Sequence, residues 1–147
     1  MSDPSFKPAQ NSQLTTQNRI EVSAALLFRN GKVLITQRPA GSHLGGLWEF
    51  PGGKREPDET FEQCLVRELR EELGVEVAVQ GLLEEITHAY TGKRVHLKFF
   101  SCRLLAGEPR ALGCAAVKWV GKPELADHDF PAADARLLDK LRGYDFP

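Results

Sequence analysis

The chain has 147 residues, 41% hydrophobic and 27% charged, which predicts one globular domain and excludes disordered, collagen-like and disulfide-dense classes. Nineteen Lys and Arg against twenty Asp and Glu leave a net charge of -1, so no broad positive field marks a nucleic-acid polymer as partner. The longest apolar run, residues 24–28, falls far short of the roughly 20 residues a membrane span needs.

Residues 1–18 are polar, rich in Ser, Gln, Asn and Pro, and predict an unstructured tail ahead of a single domain over 19–147. They lack the charged start, apolar stretch and cleavage site of a secretory signal, which suggests a cytoplasmic protein. An apolar run over 20–28, the turn pair Asn30-Gly31 and a second run over 33–36 predict a hairpin. Residues 38–46 read as a loop, and 47–50 as a short extended piece that Pro51-Gly52-Gly53 breaks. A helix is predicted over 60–73: Phe61, Leu65, Leu69 and Leu73 recur at i+4, Thr60 is the N-cap and Gly74 closes the end. Strands follow over 75–79, 82–90 and 94–104, with Gly92 turning the last two into a hairpin, and another over 117–120. A helical turn over 123–126 and a helix over 132–141, with Ala133, Leu137, Leu138 and Leu141 on one side, finish the chain. Mixed strands and helices without regular βαβ alternation predict an α+β sandwich. Cys64, Cys102 and Cys114 match no zinc-ligand spacing and read as small buried residues of a reducing compartment, and the four His form no ligand spacing either.

The chemistry is carried by the helix over 60–73. Spacings of i, i+3 and i+4 put Glu68, Glu71 and Glu72 within an arc of about 100° beside the apolar stripe. Like charges so placed repel one another, and clustered hard oxygens suit Mg²⁺ or Mn²⁺. The alternative is a solvated face laced by pairs of Arg67 with Glu71. Upstream, Gly52-Gly53-Lys54 joins glycines that let backbone approach a ligand to a lysine that can meet phosphate, although the same glycines also suit a plain turn.

Gly53, Glu59, Arg67, Glu68, Leu69, Glu71, Glu72, Gly74 and Val75 together spell G-x5-E-x7-R-E-U-x-E-E-x-G-U, with U aliphatic. At ordinary residue usage the seven fixed positions agree by chance less than roughly once in a hundred million starts. This pattern resembles the signature of the Nudix hydrolases at every specified position. Gln37-Arg38-Pro39, Leu47-Trp48-Glu49-Phe50-Pro51, Gly107-Glu108-Pro109, Trp119 and Asp129-Phe130-Pro131-Ala132-Ala133-Asp134 extend the resemblance to the branch that includes 8-oxo-dGTP and CTP pyrophosphohydrolases.

The resemblance implies an α/β/α sandwich with a mixed sheet and a loop-helix-loop catalytic motif. It implies Mg²⁺-dependent hydrolysis, with Mn²⁺ as a substitute, of (deoxy)nucleoside triphosphates to monophosphate and pyrophosphate. Nucleotide-pool sanitation of 8-oxo-dGTP is the first expectation, and CTP or 5-methyl-dCTP the alternative. By the same resemblance the Gly52 carbonyl, Glu68, Glu71 and Glu72 hold the metal, Arg67 orients a glutamate and Glu59 braces the motif; Lys54, from its own chemistry, joins the catalytic candidates as a phosphate contact. Glu68 is the first candidate for general base. Arg38, Phe50 and Asp134 match positions that read the base; their plainer readings are a surface arginine, a core ring and a helix-end charge. In one departure Gly113 stands where relatives often carry a further glutamate. A nucleotide sensor without turnover is disfavoured by the intact acids, and a DNA-discriminating domain by the absent basic surplus. A monomer or homodimer is expected.

Overall fold

The computed structural model describes residues 19–147, so the expected tail over 1–18 lies outside the described residues. Strand β1 (Arg19–Arg29) and strand β2 (Lys32–Gln37) form the predicted hairpin. Asn30 and Gly31 both have positive φ, 52° and 76°, the turn geometry whose twist matches that of the flanking strands. Beyond it come β3 (Trp48–Glu49), β4 (Gly52–Lys54), helix α1 (Phe61–Leu73), β5 (Glu76–Tyr90), β6 (Lys93–Ala106) and β7 (Ala116–Gly121). Two 3-10 segments, Lys122–Asp127 and Ala132–Asp134, lead into helix α2 (Ala135–Leu141).

The strands make one mixed seven-stranded sheet in which β1 is central: antiparallel to β2 and β4, and parallel to β6 from Arg19↔Arg94 to Phe28↔Arg103. Strand β5 lies antiparallel on β6, while β3 and β7 flank β2. Alternation along β1 sends Leu26 and Phe28 to one face and Ala25 and Leu27 to the other. The first face packs on Leu137 and Leu141 of α2, the second on Leu65, Leu69 and Leu73 of α1. Helices on both faces of a mixed sheet make the expected α/β/α sandwich, and among the described residues no helix is long and apolar enough to cross a membrane.

Three local expectations are corrected. The separate strands over 75–79 and 82–90 are one strand, β5, because the register shifts between Val79 and Gly81 and between Leu82 and Glu84 take up Gln80 and Leu83 as extra residues, and Gly81 itself stays paired with Ser101. Gly52 and Gly53 do not break the chain after Pro51 but belong to β4, paired with Ala24 and Ser23. The last helix is α-helical only from Ala135, after a 3-10 turn that begins at Ala132.

Candidate active site

Helix α1 begins on a complete capping box: the Thr60 side chain accepts the Gln63 N–H at 3.0 Å and the Gln63 side chain accepts the Thr60 N–H at 2.9 Å. It ends on Gly74, whose φ of 71° suits a left-handed cap. Three fully buried leucines hold the apolar stripe on the sheet, which fixes the rotation of the helix and therefore where its glutamates emerge.

Arg67 organises the acidic side. Its Nη2 and Nε donate to Glu59 Oε1 and Oε2 at 2.7 and 3.0 Å, its Nη1 to Glu68 Oε2 at 3.0 Å and Glu71 Oε1 at 3.3 Å, and its Nη2 also to the Lys54 carbonyl at 3.1 Å. One guanidinium thus ties β4, the loop before α1 and two turns of α1 together. The hydrogen bonds from Arg67, with one from the Glu56 N–H, pull the Glu59 carboxyl down to about 2, so it stays ionised.

The remaining acids are not so compensated. Burial raises Glu68, against the hydrogen bond from Arg67. Burial foremost, then the charges of Glu68 and Glu49, push Glu72 up to about 8. Pro51 O accepts the Ala25 N–H at 2.8 Å, so strand alternation turns the polar groups of Gly52 away from β1; its N–H meets Glu72. Both glycines are demanded by close approach. A side chain at Gly52 would strike the backbone of Ser23 and Ala24, and one at Gly53 would strike the Glu68 carboxylate.

Among the described residues no three acidic, His or Cys side chains already close around one point. The donor set is nonetheless that of a hard divalent cation: Glu68 and Glu72 beside an outward Gly52 carbonyl, with mutual repulsion that a cation would relieve. Glu71 stands apart, its side chain 60% exposed and directed to Arg67.

Glu49 and Arg38, whose charges act on Glu72, line a cavity of about 290 Å³ together with Lys54, Pro131 and Asp134 among others. Arg38 is anchored by its Nε to the His43 carbonyl at 2.6 Å and by its Nη1 to Glu49 at 3.3 and 3.5 Å. Asp134 is 5% exposed, and its side chain makes no capping bond at α2. Burial, with the charge of Glu49 added, pushes Asp134 up to about 7. Phe50 is 4% exposed; its ring stacks on Phe130 at 5.3 Å and meets Phe99 edge-on, inside the core rather than on the cavity wall. Gly113 sits against Glu72, and its N–H and that of Leu112 donate to the Glu72 carbonyl at 3.1 and 3.0 Å. Sequence reasoning assigned no role to Glu49, which joins the two parts of the site; its signal was its place in the segment Leu47-Trp48-Glu49-Phe50-Pro51 that carries the resemblance.

A family model described as a NUDIX domain matches residues 23–140. The chain is 42% identical over 120 residues to the CTP pyrophosphohydrolase of Escherichia coli, covering 82% of this chain and 89% of that protein. It is 34% identical over 113 residues to the 8-oxo-dGTP diphosphatase of the same organism, covering 77% and 88%. The solution structure of the E. coli ORF135 protein superimposes with a TM-score of 0.74 at 40% identity, over 86% of this chain and 92% of that one. With the signature helix folded and capped, and with relatives matched along most of their length, the chain belongs to the Nudix hydrolases, enzymes that generally use divalent metal ions.

Proposed function

We propose that the protein is a magnesium-dependent pyrophosphohydrolase that cuts nucleoside triphosphates to monophosphate and pyrophosphate in the cytoplasm. The observation that carries this reading is the group Glu68, Glu72 and Gly52, coupled through the charges of Glu49 and Arg38 on Glu72 to a cavity whose wall holds Glu49, Lys54, Arg38 and Asp134. Glu68, Glu72 and the Gly52 carbonyl, with Glu71 in reserve, would hold a divalent cation, which when bound would supply neutralisation of phosphate charge and a more acidic water. Lys54 meets a phosphate oxygen as a point charge. Glu68, whose carboxylate Arg67 holds in place, takes the proton of the attacking water.

Asp134 reads the base. As a neutral acid it presents one O–H donor and one carbonyl acceptor, matching O6 and the N7 hydrogen of 8-oxoguanine, and equally N3 and the amino group of cytosine. 8-oxo-dGTP is the first substrate we assign. Cytosine nucleotides are the second reading, favoured by the 42% identity to a CTP pyrophosphohydrolase. Incubation with Mg²⁺ and each of 8-oxo-dGTP, dGTP, CTP and 5-methyl-dCTP tests both. Pyrophosphate and a monophosphate are expected; release of orthophosphate, or no product from any of the four, would sink the assignment.

A further inference from the structure

The base and the phosphates of a nucleotide are joined through its sugar, so a protein group lying between a base-reading end and a phosphate-holding end faces that sugar. Glu49 is such a group. It lines the cavity with Asp134 and Lys54, and its charge acts on Asp134 in one direction and on Glu72 in the other. Its backbone is held in β3, where Thr36 pairs with Glu49 and Gln37 with Trp48. A single nitrogen of Arg38 reaches both of its oxygens, at 3.3 and 3.5 Å, and these long contacts leave most of the acceptor capacity of the carboxylate unused. Arg38 does not turn to saturate it, because its Nε is fixed on the His43 carbonyl.

We propose that Glu49 reads the sugar: its carboxylate accepts a hydrogen bond from the 3′-hydroxyl of the bound nucleotide, admitting free nucleotides and rejecting those whose 3′-oxygen carries a phosphate. A 3′-phosphate lacks the hydroxyl hydrogen and sets a negative charge against Glu49 in a partly desolvated cleft. The 5′-triphosphate end of a nucleic-acid chain is refused for the same reason, its first 3′-oxygen being esterified. The inference rests on the nucleoside triphosphate reading above.

The test uses the intact protein with a nucleoside triphosphate, its 3′-deoxy form and its 3′-phosphorylated form. Equilibrium binding of the three matching 5′-monophosphates is measured alongside, since it needs no turnover. Removal of the 3′-hydroxyl is expected to lower both kcat/KM and affinity by about 10- to 100-fold, the worth of a hydrogen bond to a charged acceptor. Glu49→Gln, which keeps the shape, is expected to relieve the rejection of the 3′-phosphate. Glu49→Ala is expected to erase the difference between hydroxyl and deoxy forms. A merely structural role would lower all three nucleotides alike in both variants and overturn the proposal, as would equal treatment of hydroxyl and deoxy forms by the wild type. Discrimination in monophosphate binding without any triphosphate turnover would remove the pyrophosphohydrolase reading and leave the sugar contact standing.

Discussion

Gly53 and Glu68 compete for one volume: a Cβ built on Gly53 would stand 2.6 Å from Glu68 Oε2. The obstacle is the end of a flexible side chain, so Gly53→Ala is expected to fold and to move the carboxylate. A fall in kcat of about 10-fold or more is expected, with melting temperature nearly unchanged. At Gly52 the obstacle is backbone, with Ala24 Cα at 2.8 Å. Gly52→Ala is therefore expected to disrupt the pairing of β4 with β1 and to cost about 3 kcal/mol or more, a melting decrease of several degrees. Melting curves and kinetics on the two variants check the contrast, and equal behaviour would contradict it.

The two adjacent glutamates near the end of α1 are not equivalent. Glu72 is largely buried, beside Gly52 and repelled by Glu68 and Glu49, whereas Glu71 is exposed and paired with Arg67. Under limiting Mg²⁺, Glu72→Gln is expected to lower the rate about 100-fold or more and Glu71→Gln about 10-fold. Titration of activity against Mg²⁺ for each variant measures this ordering, which fails if Glu71→Gln is the more damaging.

Without metal, stability should fall as pH rises. The folded protein holds a proton on Glu72 up to about 8 and on Asp134 up to about 7, against ordinary values of 4.5 and 3.8. Between those limits the folded state binds more protons than the unfolded one, so the slope of stability with pH is negative there. Glu59 acts in the opposite sense, its contribution being lost as pH drops from 4.5 towards 2. Added Mg²⁺ is expected to raise the melting temperature more at pH 8 than at pH 5, and Glu72→Gln to flatten the decline. Scanning calorimetry across pH with and without the ion decides this.

Asp134 should make base recognition depend on pH. Ionised above about 7, it only accepts, so it keeps the N7 hydrogen of 8-oxoguanine or the amino group of cytosine and loses O6 or N3. The affinity for the matching monophosphate, 8-oxo-dGMP or CMP, is expected to drop by roughly 10-fold between pH 6 and pH 8.5, the worth of about one hydrogen bond. Asp134→Asn, which donates and accepts at every pH, should remove that dependence. An affinity independent of pH in the wild type for both nucleotides would show that Asp134 reads neither base.

What was legible in the sequence was local. Helix α1 announces its start, stripe and end in Thr60, Leu65, Leu69 and Gly74, and the Asn30-Gly31 turn is written in two adjacent residues. What was illegible depended on distant partners. Gly52 and Gly53 read as a close approach to a ligand or as a plain turn, because nothing nearby reveals that Ser23 and Glu68 press against them. Gly81 read as a break because only β6, more than a dozen residues on, shows that pairing continues through it. Phe50 suits a base or a core equally until Phe99 and Phe130 occupy its surroundings. Glu49 gains meaning only when Asp134, far along the chain, reaches the same cavity.

The parallel pairing of β1 with β6 also sets a schedule for the nascent chain. Helix α1 is complete at Leu73, yet the strand that flanks β1 under its leucine stripe ends at Ala106. At synthesis rates of about 5–20 residues per second, that gap of roughly 30 residues keeps the stripe without its full floor for a few seconds. During that interval Leu65, Leu69 and Leu73 are a natural docking target for a chaperone, and codon changes that slow translation between residues 74 and 106 would lengthen the exposure.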